Sequence, residues 1–217
     1  MATRTLAHDI AADLRKDIDR GLFAPGEPLR QDDIARRLSV SRIPVREALR
    51  LLEQEGLVVV HSNRGAFVVE HDESTISELF DVRLLLESDL LRRACGRIAE
   101  PVFARLRRLN ADASTTREPH EWLELDEGFH YTIYAAAERP RTFEMARTLR
   151  RSLNTYYLRY LTPADRDRSW YQEHDALLEC LRRNDAAGAV AELESHLRAT
   201  QELLVAALRE TAARKGE

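Results

Sequence analysis

An aspartate and three histidines in the second half of the chain have the types and spacing of metal ligands. Asp126 and His130 lie four residues apart, so a single helix would present both side chains to one ion. His174 and His196 each fall on the apolar side of a separate predicted helix. Buried imidazoles and carboxylates need partners, and a shared divalent ion would supply one to all four. Each histidine taken alone is better explained as a hydrogen-bonded core residue, so both interpretations stay open at this point.

Six helices are predicted to hold these side chains. Beyond the polar segment 71–75 the chain shows helical periodicity without a convincing strand, interrupted at prolines and at an Asn-Asp pair. The predicted helices span residues 75–98, 101–112, 119–137, 140–160, 165–183 and 185–212. Residues 76–217 are therefore predicted to form an all-helical domain, joined through the linker 71–75 to whatever precedes it.

Two further residues of this domain are candidates for contacts to a small ligand. Arg83 and Glu87 fall on the apolar stripe of the first predicted helix, where an arginine near a metal would bind a carboxylate through two hydrogen bonds. A surface ion pair between these two residues is the alternative. Asn154, on the inner side of a tyrosine-rich helix, is a weaker candidate. Five other arginines are predicted to lie on solvated faces: Arg105, Arg107, Arg108, Arg150 and Arg151.

A short helix in the first half of the chain combines an apolar side with a basic side. Its apolar residues recur at the spacing of a packed helix face: Val45, Ala48, Leu49 and Leu52. Its arginines recur every four residues: Arg42, Arg46 and Arg50. Ser41 precedes them as the predicted N-cap. Such a helix has the right shape to enter a DNA major groove by its N-terminus, although an ordinary surface helix would show the same pattern.

The neighbouring segments favour the DNA-binding interpretation. The predicted elements are, in order, a helix at 32–38, a tight turn at 39–40, the arginine-bearing helix, and strands at 57–61 and 66–69. A hairpin turn that carries Arg64 and Gly65 joins the two strands. A helix-turn-helix followed by a hairpin is a winged helix, whose wing would place Arg64 against a phosphate or in the minor groove. Residues 1–70 are thus predicted to form a winged helix-turn-helix DNA-binding domain.

The charge distribution confines the basic surface to a small area. The net charge is −4, and the first 70 residues carry as many basic as acidic side chains. Arginines are concentrated between Arg36 and Arg64. Because one weakly charged head binds DNA poorly, we expect a homodimer on a palindromic operator and salt-sensitive binding. Isolated cysteines, and the lack of a signal peptide or membrane-length apolar run in this sequence, predict a cytoplasmic protein without membrane contact.

Residues 7–69 resemble the DNA-binding head of the GntR family of bacterial transcription regulators. The resemblance rests on segments that follow one another in the family's order: Phe23–Leu29, Ile34–Arg42, Pro44–Leu49 and Arg64–Val68. It implies that Ser41, Arg42 and Arg46 meet the operator, with the wing turn contributing. The helical second half resembles the ligand-binding FCD domain of FadR-type members, and six helices suit the shorter, VanR-like branch.

The same resemblance bears on the metal site. Many FCD domains carry an Asp-x3-His pair on one helix and single histidines on two later helices, and this chain has Asp126, His130, His174 and His196 in that order. The resemblance implies a bound divalent transition metal with an open position for a small carboxylate effector. Zinc is expected first, while nickel, manganese or iron also suit one carboxylate and three imidazoles. FCD regulators also use an arginine on the helix that holds Arg83.

The sequence therefore predicts a mainly α protein that represses transcription under the control of a small organic acid, and that is not an enzyme. Two alternatives remain. The order of His130, His174-Asp175 and Asp185 is superficially similar to helical metal-dependent phosphohydrolases, although Asp175 would face water. A constitutive DNA-binding protein with a purely structural metal is the other alternative.

Overall fold

Helices and short strands, separated by turn residues, make up the chain between Thr5 and His71. The computed structural model describes residues 5–162 and 168–215; it groups the residues up to His71 with Asn154–Tyr156 in one compact unit and the remaining residues in a second. The elements of the first unit are α1 (Leu6–Asp19), β1 (Pro28–Leu29), α2 (Gln31–Leu38), α3 (Arg42–Gln54), β2 (Val58–His61) and β3 (Gly65–Val68). The predicted winged helix-turn-helix is confirmed.

The apolar face of α3 anchors the first unit. Its four predicted core residues are buried together with the inner face of α1, and Leu14, Val45 and Leu52 are completely inaccessible. Between α2 and α3 the chain turns at Ser39, which adopts a left-handed φ of 54°, while the N–H of Val40 bonds to the carbonyl of Ala35 at 3.0 Å. Burial of one face of α3 leaves its opposite face for solvent or a partner.

The wing contains one strand more than the predicted hairpin. The antiparallel sheet has the order β1-β3-β2, with Leu29 opposite Ala66 in the added edge strand. Two residues beside a proline carry too little periodicity to predict a strand from sequence. In the turn between β2 and β3, Asn63 and Gly65 have positive φ angles of 68° and 94°. No atom lies within 4 Å of a Cβ placed at Gly65, so the backbone conformation rather than space favours glycine there.

The second unit is built from helices that pack around α4. The helices that follow β3 along the chain are α4 (Glu73–Ala94), α5 (Glu100–Thr115), α6 (Pro119–Ala135), α7 (Pro140–Ser152), α8 (Asn154–Tyr160), α9 (Arg168–Arg182) and α10 (Ala186–Lys215). The first three residues of α8 group with the first unit. α4 packs against α6, α7 and α10, whereas α5 packs against α6 and α9. The predicted mainly α fold is confirmed, and no helix in the described ranges is long and apolar enough to span a bilayer.

Helix boundaries differ from the prediction, and two of the differences have a physical cause in the structure. α4 begins at Glu73, inside the predicted linker, because the Asp72 carboxylate accepts a hydrogen bond from the N–H of Thr75 at 2.8 Å and caps the helix. The predicted helix 140–160 is divided at Leu153, whose N–H bonds to the carbonyl of Arg150 at 3.1 Å in a tighter turn. The predicted start of the helix 165–183 lies outside the described residues.

Candidate metal centre and DNA-binding surface

Three helices of the second unit bring the four predicted metal ligands to one place. α6 carries Asp126 and His130 one turn apart, α9 carries His174, and α10 carries His196. All four side chains are buried, with relative exposures between 0% and 4%. Phe129, between the two ligands of α6, stacks on the His174 ring with the centroids 4.4 Å apart. Apolar packing of the helices therefore encloses the four polar groups.

The four ligand atoms have nearly the spacing that a transition metal requires. One ligand atom from each side chain lies within 4.8 Å of all the others. The Nε2 atoms of His130 and His174 are each 3.8 Å from Oδ1 of Asp126. Ligands bound at about 2.1 Å to a tetrahedral ion lie about 3.4 Å apart. The cluster is thus slightly wider than a bound ion needs, and small side-chain rotations would close it.

A hydrogen bond behind the ring fixes the tautomer of His174. The Asn110 amide nitrogen donates to Oδ1 of Asp175 at 2.8 Å and to the carbonyl of Tyr171 at 3.0 Å. Its oxygen must therefore accept from Nδ1–H of His174, at 3.1 Å. The proton of this imidazole is thus on Nδ1, and Nε2 presents a lone pair to the cluster.

The other two imidazoles are held in the same tautomer. Tyr134 donates its single proton to Oε2 of Glu87 at 2.6 Å, so its oxygen accepts from Nδ1 of His130 at 3.3 Å. The Glu173 carboxylate accepts from Nδ1 of His196 at 2.8 Å. Each of the three rings is anchored at Nδ1, and each directs the lone pair of Nε2 away from that anchor.

The result is a set of buried acceptor atoms that lie close together. Oδ1 of Asp126 and the Nε2 atoms of His130 and His174 are buried and have no hydrogen-bond partner within the described residues. Burial lowers the pKa of both imidazoles well below the ordinary histidine value, so both are neutral and able to ligate. Facing lone pairs repel one another unless a cation lies between them. The donor set therefore fits a divalent transition-metal ion.

Arg150 is buried in this region, and the prediction that it lies on a solvated face is wrong. It is 3% exposed, and its guanidinium donates to Oδ2 of Asp126 at 2.8 Å and to Oε2 of Glu87 at 3.1 Å. Burial opposes its charge, but these two carboxylates outweigh that effect and raise its pKa well above the ordinary arginine value. Arg150 thus occupies one oxygen of Asp126 and leaves the other for the cluster.

Arg83 also faces the interior, and its ion pair with Glu87 is buried rather than at the surface. Its Nε donates to Oε1 of Glu87 at 2.7 Å, and its Nη1 donates to the hydroxyl of Tyr157 at 2.6 Å. Burial would raise the pKa of Glu87, but the guanidinium groups of Arg83 and Arg150 lower it. Glu87 therefore remains an anion between two arginines.

Several groups that complete the site were not predicted from sequence. Asn110, Tyr134, Glu173 and Arg150 each hold a candidate ligand from behind. Such partners come from other helices or from the next turn, and no spacing rule distinguishes them from ordinary polar residues. Asn154, predicted to contact an effector, is 3% exposed and groups with the first unit; its role stays a prediction.

The exposed face of α3 and the end of α2 carry the arginines predicted to contact DNA. Arg42 forms an ion pair with Asp32, and Arg36 forms one with Asp33 at 3.3 Å. Both pairs are exposed, so water screens them and phosphates can replace the carboxylates. Arg46 is exposed and forms no ion pair within the described part of the chain.

The N-cap of α3 and the wing provide the other predicted contacts. Ser41 occupies the N-cap position, but its side chain makes no capping hydrogen bond and is exposed. Arg64 is exposed in the turn between β2 and β3, directly before Gly65. Ser41, Arg64 and Gly65 are thus all exposed on the surface of the first unit.

Comparison with known proteins assigns both units. Residues 6–68 match the bacterial regulatory proteins of the gntR family, and residues 78–199 match the FCD domain. The chain belongs to the GntR family. It is a DNA-binding transcription regulator with an FCD domain, and the proteins it resembles are regulators rather than enzymes.

Individual relatives agree with this assignment. The Nta operon transcriptional regulator of Aminobacter aminovorans is 30% identical over 200 residues, which cover 90% of this chain and 94% of that protein. The gluconate operon transcriptional repressor of Bacillus subtilis is 35% identical over 132 residues, or 59% of this chain and 54% of that protein. The solved structure of Escherichia coli McbR/YncC, 22% identical, shares the fold with a TM-score of 0.80 over 92% of this chain and 97% of that one.

Loss of one imidazole should remove the metal. We expect purified protein to contain about one transition-metal ion per chain and His174→Ala to contain little, because the remaining donors no longer surround the ion. Elemental analysis of both proteins measures this. His120→Ala, which alters a half-buried histidine of the same helix α6 outside the cluster, is the control and should retain the ion. Metal-free wild-type protein after reconstitution with zinc, nickel and manganese would contradict the prediction.

Removal of the Arg150 guanidinium should destabilise the second unit. Arg150→Ala leaves Asp126 without its charged partner and Glu87 with one arginine, and breaking a buried ion pair costs about 3–5 kcal/mol. Urea denaturation of the full chain, read by hydrogen exchange in α4 and α6, measures the loss. Arg147→Ala removes an arginine of the same helix that is 43% exposed, and it should change stability by less than about 1 kcal/mol. Equal effects of the two substitutions would show that Arg150 contributes no more than a surface charge.

Proposed function

We propose that this protein is a repressor whose affinity for its operator is controlled by a small organic acid bound at a metal ion in the second unit. The observation that carries the proposal is the set of buried, mutually facing acceptor atoms on Asp126, His130 and His174. A core that packed histidines only for stability would pair these atoms with donors. Asp126, His130, His174 and His196 would hold the ion, which would act as a Lewis acid that anchors a carboxylate.

Zinc is the metal we favour, because three imidazoles and one carboxylate are ligands that it prefers. Nickel, manganese and iron accept the same donors. Four protein ligands leave a position for an exogenous ligand when the ion expands to five or six coordinates. The hydrogen bonds behind the imidazoles and the Arg150 contact to Asp126 would orient the donors for any of these ions.

The charge balance around the cluster favours an anionic effector. The buried arginines Arg83 and Arg150 are balanced by the buried carboxylates of Glu87 and Asp126. A divalent ion would add positive charge that Glu173, whose side chain is 26% exposed, offsets only in part. A buried excess of positive charge is costly, and a carboxylate beside the ion would compensate it. The gluconate operon repressor, a relative of this chain, is named for a carboxylate of this class.

The first unit would bind one half of a palindromic operator, and a homodimer would bind both halves. Arg36, Arg42 and Arg46 would contact phosphates or bases, Ser41 would meet the backbone at the N-terminus of α3, and the wing would contribute Arg64 and Gly65. An effector changes the output only if it binds one dimer geometry better than the other. Repression is proposed because a relative of this chain is a repressor.

A purely structural metal remains the second candidate, since the tautomer-fixing hydrogen bonds would serve it equally well. The phosphohydrolase alternative has no support: Asp175 is exposed and bonds to Asn110 behind a ligand, and the matched families are regulators. Asn154 is retained as a proposed effector contact without a structural argument.

Arg46 should be required for operator affinity. We expect Arg46→Ala to raise the dissociation constant for an operator selected from a random duplex library by about tenfold or more, because a base or phosphate contact is lost. Fluorescence anisotropy at two salt concentrations measures the affinity and its salt slope. Arg105→Ala, an exposed arginine on α5, is the control and should bind as the wild type does. Wild-type affinity of Arg46→Ala would exclude α3 as the recognition element.

A carboxylate should weaken operator binding through Arg83. With zinc-loaded full-length protein, citrate or gluconate is expected to raise the dissociation constant for the operator. Arg83→Lys should reduce this response, because an ammonium group cannot keep the contacts to Glu87 and Tyr157 in the arginine geometry while it also donates to a carboxylate. Arg93→Lys is the control: Arg93 forms an ion pair with Asp89 on the same helix, at 2.9 Å, but is 44% exposed. If no carboxylate changes the affinity of metal-loaded protein, the metal is structural.

A further inference from the structure

The apolar side chain at the start of α3 points directly away from the core. Ile43 is 62% exposed, although Val45 and the other apolar core residues of the same helix are buried. At about 100° per residue, Ile43 lies within roughly 10° of the direction opposite the centre of the buried face. It therefore lies at the centre of the exposed face of α3.

The position of Ile43 along the helix is equally specific. α3 begins at Arg42, so Ile43 lies in its first turn. When a helix enters the major groove by its N-terminus, the outward-facing residues of the first turn reach furthest toward the base edges. Arg50 also lies near the centre of the exposed face, but two turns later. Arg42 and Arg46 lie to one side of that centre, where they can contact phosphates.

The side chain at this place has no polar atom, which limits what it can read. Isoleucine can neither donate nor accept a hydrogen bond, so guanine, cytosine and adenine offer it no specific contact in the major groove. The C5-methyl group of thymine is the one apolar group exposed on a base edge there. We propose that Ile43 is a specificity-determining residue that selects a thymine in each operator half-site through contact with its methyl group. The proposal rests on α3 being the recognition helix, as part of the proposed function.

Replacement of single thymines by uracil tests the proposal, because uracil lacks only the methyl group. An operator is first selected from a random duplex library with the full chain. Each thymine of the half-site is then replaced by deoxyuridine, symmetrically in both halves, and the dissociation constant is measured at fixed salt. For the wild type we expect one thymine whose replacement raises the dissociation constant about fourfold per half-site. This factor corresponds to the transfer free energy of one buried methyl group.

Two variants make the test specific to Ile43. In Ile43→Ala, the uracil penalty at that thymine should disappear, while the exposed position leaves folding intact. Leu22→Ala alters a leucine of nearly equal exposure, 63%, in the same unit but outside α3, and it should keep the wild-type penalty.

Three outcomes would overturn the inference. If no thymine shows a penalty in the wild type, no methyl is read. If Ile43→Ala binds more weakly but keeps the penalty, Ile43 contacts the sugar-phosphate backbone or another protein group rather than a base. If the library yields no enriched sequence, the proposed operator recognition fails and this inference fails with it; enrichment without a uracil penalty leaves the proposed function intact.

Discussion

The carboxylate of Glu87, shared between the guanidinium groups of Arg83 and Arg150, is the contact on which the interior of the second unit depends. It joins α4 to α7 directly, and through Tyr134 it reaches His130 on α6. Arg150 then continues to Asp126, so a continuous path of hydrogen bonds connects Arg83 to two candidate ligands. Buried ion pairs contribute little net stability, but they tolerate few arrangements. The relative placement of these helices, and hence of the candidate ligands, is therefore tightly specified.

The same residue types have opposite properties in the two units because their burial differs. In the first unit, Arg42 and Asp32 meet in solvent, where the ion pair is weak and DNA phosphates can replace it. In the second unit, Arg83 and Glu87 meet in the core, where separation would leave the buried guanidinium of Arg83 without its counter-charge. Exchangeable pairs suit a surface that must accept a polyanion, and permanent pairs suit a site that must keep its donors aligned.

Polar and apolar groups in unfavourable surroundings occur in both units. In the candidate metal cluster, hydrogen bonds behind the rings leave buried acceptors without donors, which is unfavourable unless a cation binds there. On α3, the exposed face combines arginines with the apolar side chain of Ile43. An exposed apolar side chain is unfavourable in water, but it is suited to contact with a base edge. In both places a local arrangement that costs free energy in isolation indicates the chemistry of the missing partner.

Local rules are enough to predict several elements from the sequence. The period of the apolar residues placed α3 and its buried face, the turn residues placed the wing, and the i, i+4 spacing put Asp126 and His130 on one side of α6. Which distant groups meet, in contrast, depends on how the helices pack. Arg150 looked like a solvated arginine because its partners lie 24 and 63 residues away, and the Asn110 anchor of His174 lies 64 residues away. The break at Leu153 carries no proline or glycine, and β1 forms only because β3 lies beside it. Burial and pairing of this kind depend on the packing of whole helices, which no short window of sequence encodes.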